Sequence, residues 1–160
     1  MKSLFLDNIM ENQNHYDYII CGGGASGLIL AQMFGNDPYF ENKQVLILEK
    51  EIKNQNDRTW CFWEAKNSVW NPITYKVWDS AEFKAAHFKK KIDLNPFQYK
   101  MIRGEDFYKK SYKNLEKKSN ITFLVEEVLS INEKGKKVHV LGKKKSYWAK
   151  KVFSSIPPST

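Results

Sequence analysis

At 160 residues the chain is long enough to bury a core, and its 42% hydrophobic and 14% aromatic content excludes disorder as a description of the whole. A net charge of +8 admits nucleic acid, an anionic membrane surface or a merely lysine-rich background. The lysines stand singly or in short runs (Lys89-Lys90-Lys91, Lys143-Lys144-Lys145) rather than interleaved with aromatic residues. A base-stacking surface needs that interleaving, so nucleic acid is not expected as a partner.

Residues 1–15 read as a polar lead-in, because "SLFL" is too short for the apolar core of a signal peptide. One domain is expected over 16–160. Tyr16 to Cys21 reads as a short buried strand. Ser26 to Phe34 reads as a helix, ended by Gly35-Asn36-Asp37-Pro38 because glycine caps and proline cannot continue. "QVLILE", Gln44 to Glu49, is a second strand, and its unbroken apolar run suits a parallel sheet covered on both faces. Strand, helix and strand make one βαβ unit.

Residues 50–82 carry no clear period: "EIKNQND" is loop-like and "RTWCFWE" is aromatic-rich. Ala85 to Ile92 alternates weakly and suggests a strand. Glu105 to Lys118 reads as a helix with Phe107, Tyr108, Tyr112 and Leu115 on one face. "NITFLVEEVLSINEKGKKVHVL" reads as a strand, a turn at Gly135 and a second strand. Lys144 to Trp148 suggests a third antiparallel strand, and "KKVFSSI" a final short one over Val152–Ser155 before "PPST".

The chemistry sits in "YIICGGGASGLILAQ". Gly22-x-Gly24-x-x-Gly27 follows a strand, opens a helix and is answered by Glu49 at the end of the next strand. Gly27 and Glu49 are 22 positions apart, close to the spacing of about 20 found in dinucleotide-binding units. Gly22 makes the tight turn, Gly24 lets a pyrophosphate touch bare backbone, and Gly27 lets the helix approach the strand. The helix N-terminus, with Ala25 just before it, offers unpaired N–H groups and partial positive charge to the phosphates. Glu49, followed by Lys50, can accept from both ribose hydroxyls, and its charge would repel a 2′-phosphate.

A nicotinamide half-domain would continue at once with another helix and parallel strand. Here a long aromatic stretch and an antiparallel excursion intervene. The layout resembles the Rossmann-like FAD-binding domain of the glutathione-reductase-like flavoproteins, particularly the aromatic hydroxylases. That resemblance implies that Arg103, just before a helix in "MIRGEDFYKKSY", meets the flavin pyrophosphate. It also implies that the backbone near Val128 holds the adenine.

"DRTWCFWE", Asp57 to Glu64, is more specific. With "YDYIICGGGASGLILA" and "KVFSSIPP" it resembles the N-terminal portion of the lycopene β-cyclase family, over Tyr16 to Pro158. Members of that family carry an arginine in a "DSRPP"-like segment, where this chain has Ser155-Ile156-Pro157-Pro158. The resemblance implies reduced FAD, with electrons from NAD(P)H, and a linear carotenoid, lycopene, as substrate. An acid protonates the terminal double bond, a carbocation closes the ring, and loss of a proton leaves a β-ionone ring. The anionic flavin stabilises the cation electrostatically. Arg58 and Thr59 are expected to line the flavin. Trp60, Phe62 and Trp63 are expected mostly to pack a core under a long loop, and Glu64 to be solvated.

The catalytic acid is not assigned to any residue here, because the resemblance places the acidic motifs beyond Thr160. The chain therefore reads as a truncated cofactor domain whose substrate half is absent. The alternatives are an FAD-dependent monooxygenase or isoprenoid reductase with the same cofactor domain, and a fragment that is no enzyme at all. Cys21 reads as a core residue, and with Cys61 it forms no disulfide framework, which points to a reducing cytoplasm. His15, His87 and His139 are isolated, so no metal site is expected. No run reaches the roughly 18 apolar residues of a membrane helix. An apolar polyene implies peripheral contact at the inner face of the membrane.

Overall fold

The computed structural model describes residues 14–157. They form two compact units, one built from residues up to Ile52 and from Ser111 onward, the other from Lys53–Lys110. Each is described by itself.

The first unit holds a six-stranded sheet in the order β8-β2-β1-β11-β10-β9. Its strands are β1 (His15–Cys21), β2 (Val45–Glu49), β8 (Ile121–Val125), β9 (Val128–Lys134), β10 (Lys137–Gly142) and β11 (Ser146–Ser154). β8, β2, β1 and β11 run parallel, while β11, β10 and β9 form an antiparallel meander. The alternation of β1 and β2 explains the layering, since neighbouring residues point to opposite faces. Ile19, Cys21, Leu46 and Leu48 pack with Val140, Tyr147 and Ala149 of the meander. On the other face Tyr18 meets Phe34 of helix α1 (Ala25–Asn36), with ring centres 5.3 Å apart. Phe34 stacks on Phe40 at 4.2 Å. All five residues of β2 are buried, as the "VLILE" run requires of a strand covered twice.

Several boundaries differ from the sequence reading. Gly35 does not cap the first helix; the helix runs through it to Asn36. A Cβ there would lie 3.0 Å from both Ile121 and Lys118, so the glycine serves close packing. The stop comes from Asp37, whose side chain accepts the Tyr39 N–H at 2.9 Å and caps a 3-10 turn over Pro38–Phe40. The stretch read as one strand from "ITFL" to Gly135 is two, broken at Glu126-Glu127. The two strands expected near the end are one: Ser146–Ala149 of β11 pair with β10 and Trp148–Ser154 with β1.

The second unit holds β3 (Thr59–Ala65), β7 (Phe97–Arg103) and β4 (Thr74–Trp78), antiparallel in the order β3-β7-β4. "RTWCFWE" is thus a strand whose alternate residues Trp60, Phe62 and Glu64 are half-buried. Trp63 is on the other side, 58% exposed against Tyr99, and is not core. Ala85 to Ile92 is not one strand but the middle of a hairpin, β5 (Ser80–Ala85) and β6 (Phe88–Asp93), turning at Ala86-His87. Helix α2 spans Gly104–Leu115, shorter than the expected 105–118. Its Phe107 and Tyr108 are buried, with Trp60 packed edge-on at 5.1 and 5.9 Å.

Candidate functional site

The glycine turn lies at the carboxyl end of β1. Gly22 has φ +107°, a conformation L side chains rarely adopt. It is pinned from both sides. Its N–H donates to the Leu48 carbonyl at 2.8 Å, and a Cβ would meet Ser155 Oγ at 2.2 Å. Ser155 is held in turn by its own N–H, donated to the Cys21 carbonyl at 2.9 Å. A Cβ at Gly27 would sit 2.0 Å from the Gly22 carbonyl oxygen, so the helix crosses the strand at a distance only glycine allows.

Gly24 is different. It is the N-cap of α1, extended at φ −75° and ψ −172°, with no side-chain cap. A Cβ there would meet no atom within 4 Å. Nothing internal requires a glycine at this position, whereas an approaching ligand would. The first turn, from Ala25, carries no acidic side chain to compete for its N–H groups.

Glu49 is buried at the tip of β2. Oε2 accepts the Gly23 N–H at 2.5 Å and Oε1 accepts the Lys50 N–H at 3.0 Å. A carboxylate has about four acceptor positions, so two are left for hydroxyl groups. Gly23 was not singled out in the sequence reading. A Cβ at that residue would lie 2.9 Å from the Cβ of Glu49, a constraint set by a residue 26 positions away that no local pattern reveals. Ser155 enters the sequence reading only as the neighbour of Ile156, the departure from the family's arginine, yet it is the wall behind Gly22. Lys50 is exposed.

Val128 opens β9 and is half-buried in the cluster of Ile19, Leu48 and Tyr147. The corner before it is tied to β2, because the Glu126 N–H donates to the Glu49 carbonyl at 2.8 Å. Gly22, Gly24, Ala25, Gly27, Glu49, Lys50 and Val128 therefore all belong to the first unit. Cys21 is fully buried behind the turn, and burial pushes its thiol up to about 12, which suits a core residue rather than a nucleophile.

Arg58, Thr59 and Arg103 belong to the second unit. Thr59 and Arg103 are direct cross-strand partners on β3 and β7. Arg103 Nε donates to Asp106 at 2.7 Å, and its guanidinium lies over the Tyr75 ring at 4.5 Å. The hydrogen bond to Asp106 raises the Arg103 pKa above its ordinary value. Arg58 is exposed, and its carbonyl accepts the Gly104 N–H at 2.7 Å. Glu64 is not simply solvated. Its Oε2 is buried without a hydrogen bond, 3.6 Å from Lys100 Nζ. The Lys100 side chain is 1% exposed and spends its three protons on Ala65 O, Lys66 O and Asn71 Oδ1. Among the described residues no group of three or more His, Cys, Asp or Glu could hold a metal, and no helix is long and apolar enough to cross a membrane.

The family model "Lycopene cyclase protein" matches residues 17–160. The chain belongs to that family. No curated protein matches the sequence. Among solved structures, p-nitrophenol 4-monooxygenase PnpA from Pseudomonas putida DLL-E4 is similar with TM-score 0.68 at 15% identity, over 88% of this chain and 41% of that one. The halogenase PltM follows at TM-score 0.67 and 11% identity, over 91% and 35% of the two chains. PqsL, "a probable FAD-dependent monooxygenase" from Pseudomonas aeruginosa, gives TM-score 0.63 at 13% identity, over 88% and 41%. At these identities the likeness is one of fold, and the fold is the α/β type of the FAD-dependent oxidoreductases. The chain spans about two-fifths of the length of PnpA and PqsL.

Proposed function

We propose that this member of the lycopene cyclase family carries the FAD-binding part of a lycopene β-cyclase. The observation that supports it best is the contrast among the glycines. Gly22, Gly23 and Gly27 are closed in by protein atoms, whereas the place of a Cβ at Gly24 is open, at an uncapped helix start beside a buried carboxylate. That is the shape and chemistry a diphosphate joined to a ribose needs. The bare backbone at Gly24 and the first N–H groups of α1 would hold the pyrophosphate. Glu49 would accept from the ribose hydroxyls, with Lys50 beside it, and the backbone at Val128 would meet the adenine. Arg103, Arg58 and Thr59 carry donors suited to a phosphate or a flavin edge, and are proposed as contacts on the family resemblance.

When bound and reduced by NAD(P)H, FAD supplies negative charge that favours a cationic reaction. This chain's part is to bind and orient it. The reaction proposed for the whole enzyme moves no net electrons: a proton is gained at one end of lycopene, a ring closes, and a proton is lost. Its acid and base are not assigned to any described residue. A substrate this apolar would be drawn from a membrane; the proposed location is cytoplasmic, at the inner face, where the net charge of +8 suits an anionic leaflet.

A second reading, an FAD-dependent monooxygenase, draws on the likeness to PnpA and PqsL. Pigment analysis separates the two. The complete reading frame is expressed in a lycopene-accumulating host and carotenes are resolved by chromatography. β-Ring products support the cyclase; oxygenated products or unchanged lycopene in cells that make the flavin-loaded protein overturn it.

A further inference from the structure

The corner between β8 and β9 holds a buried carboxylate that the proposed cofactor contacts do not use. Glu126 is 3% exposed. Its Oε1 accepts the Lys144 N–H at 3.0 Å and its Oε2 accepts the Tyr147 O–H at 3.2 Å. Its backbone N–H donates to the Glu49 carbonyl. The turn that follows β10 closes on it: a Cβ at Gly142 would lie 2.7 Å from Glu126 Cγ, and the Lys143 N–H donates to the Glu127 carbonyl at 2.9 Å.

Stability alone is a poor reason for this arrangement. Burying a carboxylate is costly, and well-packed apolar groups in place of buried charges are often neutral or stabilising. What the carboxylate does supply is direction, because it ties the corner to the 144–147 segment while the Glu126 backbone N–H ties the same corner to β2. The place of that corner matters. Ligands of open α/β sheets bind outside the carboxyl ends of the parallel strands. Along β1, β2 and β8 those ends are the glycine turn, Glu49 and the Glu126 corner, in that order. A dinucleotide with its pyrophosphate on the first and its ribose on the second brings its base to the third.

We propose that Glu126 is a positioning residue for the adenosine end of a dinucleotide: its buried carboxylate fastens residues 126–128 to the 144–147 segment while its backbone N–H holds them to Glu49, keeping their main chain where the base arrives. This rests on the FAD reading above. The full chain is titrated with FAD and with ADP by calorimetry, well below the melting temperature. Wild type is expected to bind both. Glu126→Gln keeps an acceptor for Lys144 and a partner for Tyr147, and should stay within about threefold of wild type. Glu126→Leu should weaken ADP and FAD alike by about tenfold or more. A purely structural clamp would lower the melting temperature and leave both affinities of the folded protein unchanged, and that result overturns the inference. If the leucine variant does not fold, Tyr147→Phe, which removes one donor, decides: ADP weakened about threefold supports the proposal and unchanged ADP affinity overturns it. If wild type binds neither FAD nor ADP, the nucleotide site itself is wrong and the inference falls with it.

Discussion

The Gly23 N–H donates to Glu49 Oε2 at 2.5 Å, tying the turn after β1 to the tip of β2. The same carboxylate accepts the Lys50 N–H. Glu49 is therefore a structural acceptor as well as the proposed ribose acceptor, and the two roles are separable by substitution. In Glu49→Gln only one end of the side chain accepts, so whichever way the amide turns, one of the two N–H groups faces a donor. The expected result is a loss of about 1–3 kcal/mol in urea unfolding, with FAD affinity lower by about tenfold or more. An unchanged dissociation constant in a variant of reduced stability would remove Glu49 from the ribose site and leave only its structural role.

Gly24 and Gly27 make a contrasting pair. In Gly24→Val the Cβ meets no atom within 4 Å and the residue sits at φ −75°, so the fold should survive with at most about 1 kcal/mol lost at the N-cap. Its side chain would fill the place proposed for the pyrophosphate, and the purified variant should lack yellow cofactor. Gly27→Ala puts a Cβ 2.0 Å from the Gly22 carbonyl and should give little soluble protein at all. Stoichiometric flavin absorbance in folded Gly24→Val would show that the turn does not hold the cofactor.

The βαβ unit and its acid were legible because local signals agree there: an unbroken apolar run, a glycine turn, helical spacing and a second apolar run. What stayed hidden depends on contacts distant in sequence. Gly23 is required by Glu49, Gly35 by Ile121 and Lys118, and neither need leaves a local mark. The β5–β6 hairpin turns at Ala86-His87, which carries none of the glycine, proline or asparagine that announces a turn. The break between β8 and β9 falls on Glu126-Glu127, which no glycine, proline or asparagine marks. Lys100 is the extreme case, since a lysine on a strand gives no sign that it will be sealed in.

That buried lysine supports a prediction for the second unit. Lys100 Nζ bonds Ala65 O, Lys66 O and Asn71 Oδ1, so it fastens the segment that follows "RTWCFWE". Lys100→Met keeps the apolar stem and strands three acceptors and the nearby Glu64 carboxylate. We expect about 3 kcal/mol of destabilisation in urea unfolding. Near-UV circular dichroism should change as well, because Trp70 lies directly before Asn71 on the loosened segment. A loss below about 0.5 kcal/mol would mean that water replaces the ammonium easily and that the segment is not held by it.

Alkaline pH should unfold the first unit, and the sign follows from two buried acids. Burial pushes the Cys21 thiol up from 9.0 to about 12. Burial, then the charge of Glu126 and the hydrogen bond to it, push the Tyr147 phenol up from 10.0 to about 12. Both groups are neutral when protonated, and the folded state holds the proton more tightly than the unfolded chain. Their contribution is thus complete below about pH 9, where neither state has ionised. It declines as the unfolded chain releases protons between about pH 9 and 12, and is gone above the folded values. Stability from urea titrations should be level from pH 7 to about 8.5 and fall steeply by pH 11. Cys21→Ala should begin lower at pH 7, because a small cavity replaces the sulfur, and should fall less steeply with pH because one linked proton is gone. Equal slopes for wild type and Cys21→Ala between pH 9 and 11 would show that the thiol is not held protonated by the core.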